Sequence, residues 1–188
     1  MLKESVIKMK KILLVFLPIS LLLSSCSFGG LGVNKSSFFQ DDRTMANDTL
    51  EKVLIAIQNK DTATLKSLFS VEAFKDEDDF NTKANDLFEF YQGDFVSYDD
   101  WGGAVGGEGL IEDGKEWYAI QPTYDIKTSE QEYRIAFKEF TVNEFEPNKV
   151  GIWSLYIIKK SDDIDQNCAY RGDGKWTPGI NIMGNTKE

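Results

Sequence analysis

The chemistry open to this chain is limited by the absence of histidine. Without imidazole, the Ser-His and Cys-His nucleophile pairs, histidine metal sites and imidazole proton transfer are all excluded. Two cysteines are too few for the usual four-ligand zinc site. What remains is carboxylate and tyrosine chemistry, in which an aspartate acts as a base while a tyrosine hydroxyl polarises a carbonyl group.

The densest unusual cluster of side chains is Asp-Asp-Trp-Gly-Gly at residues 99–103. Adjacent residues on a strand point to opposite faces, so Asp99 and Asp100 do not form a carboxylate pair. Either one could still act as a base. The alternative is a strand end, in which an aspartate caps the turn, Trp101 packs and the glycines adopt unusual backbone angles. The pattern favours this structural interpretation, and Asp99, Asp100 and Tyr156 are retained only as candidate catalytic residues.

A second acidic segment has the alternate spacing with which a calcium loop begins, at Asp163, Asp165 and Asn167. Such a loop requires glycine at its sixth position and a bidentate glutamate at its twelfth. Cys168 and Gly174 occupy those two positions. The sequence therefore predicts an acidic surface turn here and no metal site.

The charge balance restricts the partners of the protein. The chain has 31 acidic and 21 basic residues and a formal net charge of −10. No excess of basic side chains is present to displace counterions from phosphates, so we expect no nucleic-acid partner. A length of 188 residues, of which 41% are hydrophobic, fits one globular domain with a short extension. No cofactor is predicted.

The first 25 residues have the pattern of a secretory leader. Three lysines between residues 8 and 11 precede an apolar run over 12–23. That run is shorter than the roughly 20 apolar residues of a spanning helix and has the length of a signal-peptide core. The leader ends in Leu-Ser-Ser-Cys at 23–26, which resembles the bacterial lipobox. The resemblance implies that Cys26 is the first residue of the mature protein and carries diacylglycerol; an ordinary secreted protein is the alternative.

This organisation predicts a leader at 1–25, a lipidated cysteine and flexible tether at 26–38, and a single domain at 39–188. The tether is rich in glycine, serine and asparagine, which favours a flexible coil. Two or more acyl chains on Cys26 would anchor the protein stably to the extracytoplasmic face of the cell membrane. Cys168 is then the remaining free thiol candidate, and we expect a small core or loop residue.

Apolar residues at three- and four-residue spacing predict three helices in the first half of the domain. They cover residues 39–59, a short segment capped by Asp61, and a segment whose stripe begins at Phe80 and which ends at Gly93. The period then becomes two, which is typical of strands. Strands are predicted at 95–101, 116–128, 132–142 and 150–160, with a glycine-rich loop at 102–109 and a final short segment at 176–182. This order predicts an α+β fold, with three N-terminal helices packed on a curved antiparallel sheet.

Four segments of the domain resemble an uncharacterised bacterial lipoprotein family, domain of unknown function 5104. They lie at 98–103, 133–138, 151–158 and 174–180. The resemblance implies a cone similar to the nuclear transport factor two-like fold, also called SnoaL-like or cystatin-like, in which helices pack into a bent sheet. It implies no activity, because that superfamily contains isomerases, dehydratases, binding modules and interaction domains.

Such a cone implies a pocket between the concave face of the sheet and the helices, with apolar walls and a few polar groups. The candidate ligand-binding residues are Trp101, Tyr118, Tyr124, Tyr133, Trp153 and Tyr156. The alternative is that these aromatic side chains fill the core, where aromatics contribute most of the buried area.

Three functions are compatible with these features. The first is a non-catalytic, membrane-anchored lipoprotein that binds a small ligand or an envelope protein. The second is a histidine-free enzyme that uses an aspartate base and tyrosine hydroxyls. The third is a structural envelope component that forms a homodimer through its sheet. A filled interior would favour interaction with a partner, whereas an open pocket with a desolvated aspartate beside a tyrosine would favour catalysis.

Overall fold

The computed structural model describes residues 42–101 and 106–184. Its helices are α1 (Asp42–Gln58), α2 (Thr62–Leu68), α3 (Glu77–Phe90) and α4 (Asn167–Gly174). Its strands are β1 (Phe95–Asp100), β2 (Gly106–Glu112), β3 (Lys115–Gln121), β4 (Thr123–Thr128), β5 (Glu132–Asn143), β6 (Gly151–Lys159) and β7 (Gly179–Ile182). The predicted leader, the lipidated cysteine and the tether lie outside the described residues.

Side-chain caps explain where α2 and α3 begin. Asp61 accepts a hydrogen bond from the Thr64 amide at 3.0 Å, and Asp76 accepts one from the Asp79 amide at 2.8 Å. Each cap satisfies an amide that has no partner inside its helix. Helix α1 is positioned instead by its apolar stripe, which the three- and four-residue spacing predicts. The buried residues of α1 are Ala46, Thr49, Leu50, Val53, Leu54, Ala56 and Ile57.

Strand β5 is central to the seven-stranded sheet, because it pairs with β3, β4 and β6. The order β1-β4-β5-β3-β2 is antiparallel throughout, and β6 pairs with both β5 and β7. The β6–β7 pair is parallel, so the sheet is mixed and the prediction of an antiparallel sheet is wrong for its last strand. The reason is the crossover through residues 160–178, which returns the chain in the direction of β6.

Two further strand boundaries differ from the sequence prediction. The single strand expected over 116–128 is divided into β3 and β4 by Pro122, which has no amide hydrogen for the ladder. The loop expected over 102–109 gives way at Gly106 to β2, which pairs along its length with β3. Pairing with a neighbour outweighs the low intrinsic strand propensity of glycine. Residues 102–105 lie outside the described part of the chain.

Apolar side chains form clusters on both faces of the sheet. The larger cluster joins the three helices α1–α3 to the face that carries Tyr124, Ile135 and Phe137. The smaller contains Ala136 and Cys168, together with Tyr156 and Ile158. Ile135 and Ala136 point to opposite faces because they are neighbours on one strand. Cys168 is a buried free thiol, as expected, and burial raises its pKa to about 12, so it remains protonated at neutral pH.

The segment between α2 and α3 lies unusually close to the sheet. Gly151 has φ +109°, and a Cβ atom there would lie 3.0 Å from the Ser70 nitrogen. The Ser70 amide in turn donates to the Ile152 carbonyl oxygen at 3.0 Å. Farther along, a Cβ atom on Gly179 would lie 3.0 Å from the Ala73 carbonyl oxygen. Two glycines thus permit a backbone approach that any side chain would obstruct.

We predict that Gly151→Ala destabilises the domain far more than Gly114→Ala does. Gly114 also has positive φ, but nothing lies within 4 Å of its Cβ position. Alanine there should cost about 1 kcal/mol of backbone strain. Alanine at Gly151 should cost about 2 kcal/mol more, because it adds a collision with backbone atoms. Urea unfolding of both variants measures the difference. Equal losses of unfolding free energy would show that the close approach imposes no constraint.

Candidate functional site

Two tyrosines that were predicted to line a pocket instead connect α1 to the sheet. Tyr118 is 8% exposed and donates to Asp42 Oδ2 at 2.6 Å; Tyr124 is 1% exposed and donates to Asn47 Oδ1 at 2.9 Å. Burial and the hydrogen bond to Asp42 raise the pKa of Tyr118 to about 12, and burial also raises the pKa of Tyr124. Both hydroxyls therefore stay neutral at physiological pH and act as donors to α1.

The hydroxyls of Tyr133 and Tyr156, two other members of the predicted set, each form two hydrogen bonds with the backbone of another segment. Tyr133 donates to the Phe90 carbonyl at 3.0 Å and accepts from the Gln92 amide at 2.7 Å, so it fixes the end of α3. Tyr156 donates to the first carbonyl of segment 175–177 at 3.0 Å and accepts from its last amide at 2.9 Å. Because Tyr133 and Tyr156 belong to different apolar clusters, the structure does not bring all the predicted aromatics into one pocket.

The two tryptophans of the predicted set lie away from the interior tyrosines. Trp101 is 40% exposed, and its Nε1 donates to Asp125 Oδ1 at 3.2 Å. The guanidinium of Arg134 lies 4.3 Å from the centroid of its ring, a cation–π contact. Trp153 is half-buried, with Lys149 Nζ 5.3 Å from its ring centroid. Both rings therefore contact cationic side chains near the surface.

The candidate bases Asp99 and Asp100 differ in their surroundings. Asp99 is exposed, and Asp100 is half-buried. Asp100 Oδ2 lies 3.0 Å from Nη1 of Arg43 on α1. Asp99 thus lies in solvent and not in a pocket, and Asp100 is already paired with Arg43. The structure thus places neither aspartate in the environment that the catalytic interpretation requires.

A carboxylate that the sequence analysis did not single out, Glu139, has that environment. It lies on β5 opposite Ile120 of β3, and the side chain of Thr49 on α1 hydrogen bonds to it. Its Oε2 atom is buried and has no hydrogen-bond partner among the described residues. Burial raises the pKa of Glu139, and the hydrogen bond from Thr49 and the charge of Lys52 offset this effect only in part.

The alternation along β5 is a signal that could have identified Glu139. Tyr133, Ile135 and Phe137 face the helices, and a period of two places residue 139 next in this series. A charged residue in an inward-facing series is unusual and indicates a special role. The charge of Glu139 also contributes to the raised pKa of Tyr124, so the two side chains interact. Together they could hold and transfer a proton without histidine.

The prediction of an acidic surface turn at residues 163–167 is wrong for Asp163. The side chain of Asp163 is fully buried, forms an ion pair with Arg134 and accepts a hydrogen bond from the Cys168 amide at 2.9 Å. Arg134 Nε also lies 2.7 Å from Asp125 Oδ1. Burial opposes ionisation of Asp125, but hydrogen bonds from Arg134, Lys160 and Trp101 outweigh it and lower its pKa. This partly buried network connects Asp125 on β4 and Arg134 on β5 with Asp163 and Lys160, which follow β6.

The described residues also limit metal and membrane sites. Within 42–101 and 106–184, no group of three or more cysteine, aspartate or glutamate side chains is arranged to hold a metal ion. In the same part of the chain, none of the helices combines the length and the apolar character needed to cross a bilayer.

These elements define a class of protein, an α+β domain in which helices pack on a mixed seven-stranded sheet. Residues 52–160, more than half of the chain, match the family model described as domain of unknown function (DUF5104). The chain belongs to this family, as the sequence resemblance predicts. The matched region contains Glu139 and the buried tyrosines Tyr118, Tyr124, Tyr133 and Tyr156. A comparison with curated proteins finds no significant match.

We predict that Glu139→Gln stabilises the domain more at pH 7 than at pH 4. The folded-state pKa of Glu139 is raised above its ordinary value of 4.5. As the pH rises through 4.5, the unfolded state loses the proton first, so Glu139 lowers stability up to its folded pKa. Glutamine avoids that loss. Urea unfolding at both pH values measures the effect, with Glu89→Gln as an exposed control. A stability difference that is independent of pH would contradict the assignment.

Proposed function

We propose that this protein is an extracytoplasmic lipoprotein, held to the membrane by a lipid on Cys26, whose domain binds a small ligand or an envelope partner without catalysis. The leader pattern and the Leu-Ser-Ser-Cys sequence at 23–26 support the anchor. The three helices α1–α3 and the branched pairing of β5 support a cone similar to nuclear transport factor two-like domains.

The hydrogen bonds of the interior tyrosines are the observation that carries the non-catalytic part of this proposal. The hydroxyls of Tyr118, Tyr124 and Tyr133 each bond to a helix residue at 2.6–3.0 Å. A hydroxyl that holds a helix in place cannot turn to a substrate without leaving its partner unsatisfied, which costs about 1–3 kcal/mol. These interior tyrosines therefore favour a structural role over a catalytic one, and we expect a ligand or partner to bind at the surface of the domain.

Glu139 favours a second candidate function, proton transfer by a histidine-free enzyme. A buried carboxyl with a raised pKa and one unpartnered oxygen is a frequent feature of catalytic sites. In this candidate Glu139 replaces the aspartate base expected from the sequence, and Tyr124 is the neighbouring hydroxyl. The bond from Tyr124 to Asn47 would have to break before that hydroxyl could polarise a carbonyl group, so binding remains the leading proposal.

We predict that the mature protein, purified from membranes of the bacterium that makes it, begins at Cys26. Its mass should exceed that of the polypeptide by the mass of an attached diacylglycerol. Native mass spectrometry should also show a bound molecule that dissociates on collisional activation, because a binding protein retains its ligand at high occupancy. Cys26→Ala is the matched control. It should leave the chain unprocessed or release it into the medium, because the acyl attachment is removed.

Two results would contradict this proposal in different ways. Cys26→Ala protein that fractionates with membranes at the mature mass would overturn the lipid anchor. A lipidated chain that carries neither a small molecule nor a protein partner would overturn the binding function.

A further inference from the structure

A pocket of about 370 Å³ lies beside the hairpin of β2 and β3, and its volume falls within the range of small-molecule sites. Strand register brings its side chains together. Trp117 of β3 pairs with Leu110 of β2 on one side and with Asn143 of β5 on the other. Directly paired residues present their side chains on one face, and Tyr118, the neighbour of Trp117, bonds to α1 on the opposite face. The pocket therefore lies on the face away from α1.

An apolar wall lines this pocket and remains accessible at the surface. It consists of Leu110, Trp117, Phe140 and Phe145. Leu110 is 44% exposed and Phe145 is 40% exposed, whereas Trp117 and Phe140 are half-buried. The ring centroids of Trp117 and Phe140 are 5.9 Å apart, and the ring planes are tilted by 59°, so neither ring stacks flat on the other. A ligand in the pocket would thus meet aromatic surface that the fold leaves uncovered.

Two of the three rings already attract ammonium groups of the protein itself. Lys115 Nζ lies 6.0 Å from the centroid of Phe145, and Lys138 Nζ lies 5.0 Å from the centroid of Phe140. Both are cation–π distances. The charge of Lys138 is balanced by an ion pair with Glu108. The wall is therefore of a kind that favours cations.

The charges in the lining also favour a cation. The charged residues that line the pocket, within the described part of the chain, are Glu112 and Glu146. Glu146 is partly compensated, because its Oε1 lies 2.7 Å from Lys149 Nζ. Glu112 is exposed and has no ion-pair partner among the described residues. The net charge of −10 over the whole chain adds a field of the same sign.

Hydrogen bonds fix the backbone on both sides of Phe145 before a ligand arrives. The Glu144 amide donates to the Glu116 carbonyl oxygen at 2.9 Å, and the Glu116 amide donates to Glu144 Oε2 at 2.8 Å. The Glu146 amide donates to Asn143 Oδ1 at 2.8 Å. Because this loop is already ordered, binding would cost little additional conformational entropy.

We propose that this pocket binds a small organic cation, a quaternary ammonium group on a short neutral chain. The aromatic wall would contact the methyl groups around the nitrogen, and Glu112 would balance the charge. A phosphate attached to the same cation is disfavoured, because both acidic residues of the lining would repel it. The inference rests on the proposed binding function and names the class of ligand and its place.

The test compares two probes of the same shape, choline and 3,3-dimethylbutan-1-ol, which differ in a charged nitrogen and a neutral carbon. Isothermal titration calorimetry is performed on the full lipidated chain in uncharged dodecyl maltoside micelles, with empty micelles as the blank. The wild-type protein should bind choline about tenfold more tightly than the neutral probe. Phosphocholine, which adds the phosphate of a lipid headgroup, should bind more weakly than choline.

Three variants locate the interaction. Glu112→Gln should weaken choline about fivefold and leave the neutral probe unchanged, because it removes the uncompensated carboxylate. Asp113→Asn is the matched control, since it makes the same change of charge at the next residue, which lies outside the lining, and asparagine tolerates the positive φ found there. It should keep the affinity for choline. Phe145→Leu should reduce the preference for choline, because leucine retains apolar contact but has no π face.

Four outcomes would overturn the inference. They are failure of the wild-type protein to bind choline, equal affinity for the two probes, tighter binding of phosphocholine than of choline, and equal effects of Glu112→Gln and Asp113→Asn. Each is separate from failure of the proposed function. A co-purified molecule in the native mass spectrum would maintain the binding function even if this pocket bound nothing.

Discussion

Hydrogen bonds from three buried tyrosine hydroxyls to helix residues help to place the helices of this domain. The hydroxyl of Tyr91 differs, because it is buried and has no hydrogen-bond partner among the described residues. Tyr118 and Tyr124 lie on the sheet and donate hydrogen bonds to residues of α1, and Tyr133 donates one to the last residue of α3. All three tyrosines belong to the larger apolar cluster, where an unmet hydrogen bond is expensive. The helices are therefore fixed by a few specific polar contacts as well as by their apolar stripes.

This arrangement gives most of the interior tyrosine hydroxyls a structural role. Among the interior tyrosines, Tyr118, Tyr124 and Tyr133 already have hydrogen-bond partners, whereas the Tyr91 hydroxyl and Glu139 Oε2 have none among the described residues. In the segment after α2, Gly151 and Gly179 permit the backbone to lie against the sheet, and Ser70 Oγ is buried with no hydrogen-bond partner among the described residues.

The sequence predicts those features that depend on local periodicity. Apolar spacing locates α1 and α3, and alternation locates β5 and β6 to within a few residues. It fails where contacts distant in sequence decide the outcome. Gly106 enters a strand because β3 pairs with it, and β7 runs parallel because a crossover precedes it.

The candidate site likewise combines features that local sequence predicts with features that depend on contacts distant in sequence. The predicted tyrosines are buried aromatic residues, but their separation into two clusters depends on which face of the sheet each strand presents. The sequence predicts that Asp163 is a surface acid. In the structure its side chain is buried and forms an ion pair with Arg134, which is distant in sequence. The alternation along β5 predicts that Glu139 points inward, but its contacts with Thr49 and Lys52 depend on where α1 packs, which the local sequence does not give.

A spectrophotometric titration of the tyrosines in the folded protein tests most directly whether these hydroxyls support the fold. Exposed tyrosines ionise near pH 10. Burial raises the pKa of Tyr91 and of Tyr118 to about 12, and raises that of Tyr124 as well. We expect part of the tyrosine absorbance change to appear only above pH 10 and together with loss of the near-ultraviolet circular dichroism. Complete ionisation near pH 10, in a protein that keeps its native circular dichroism, would contradict this account.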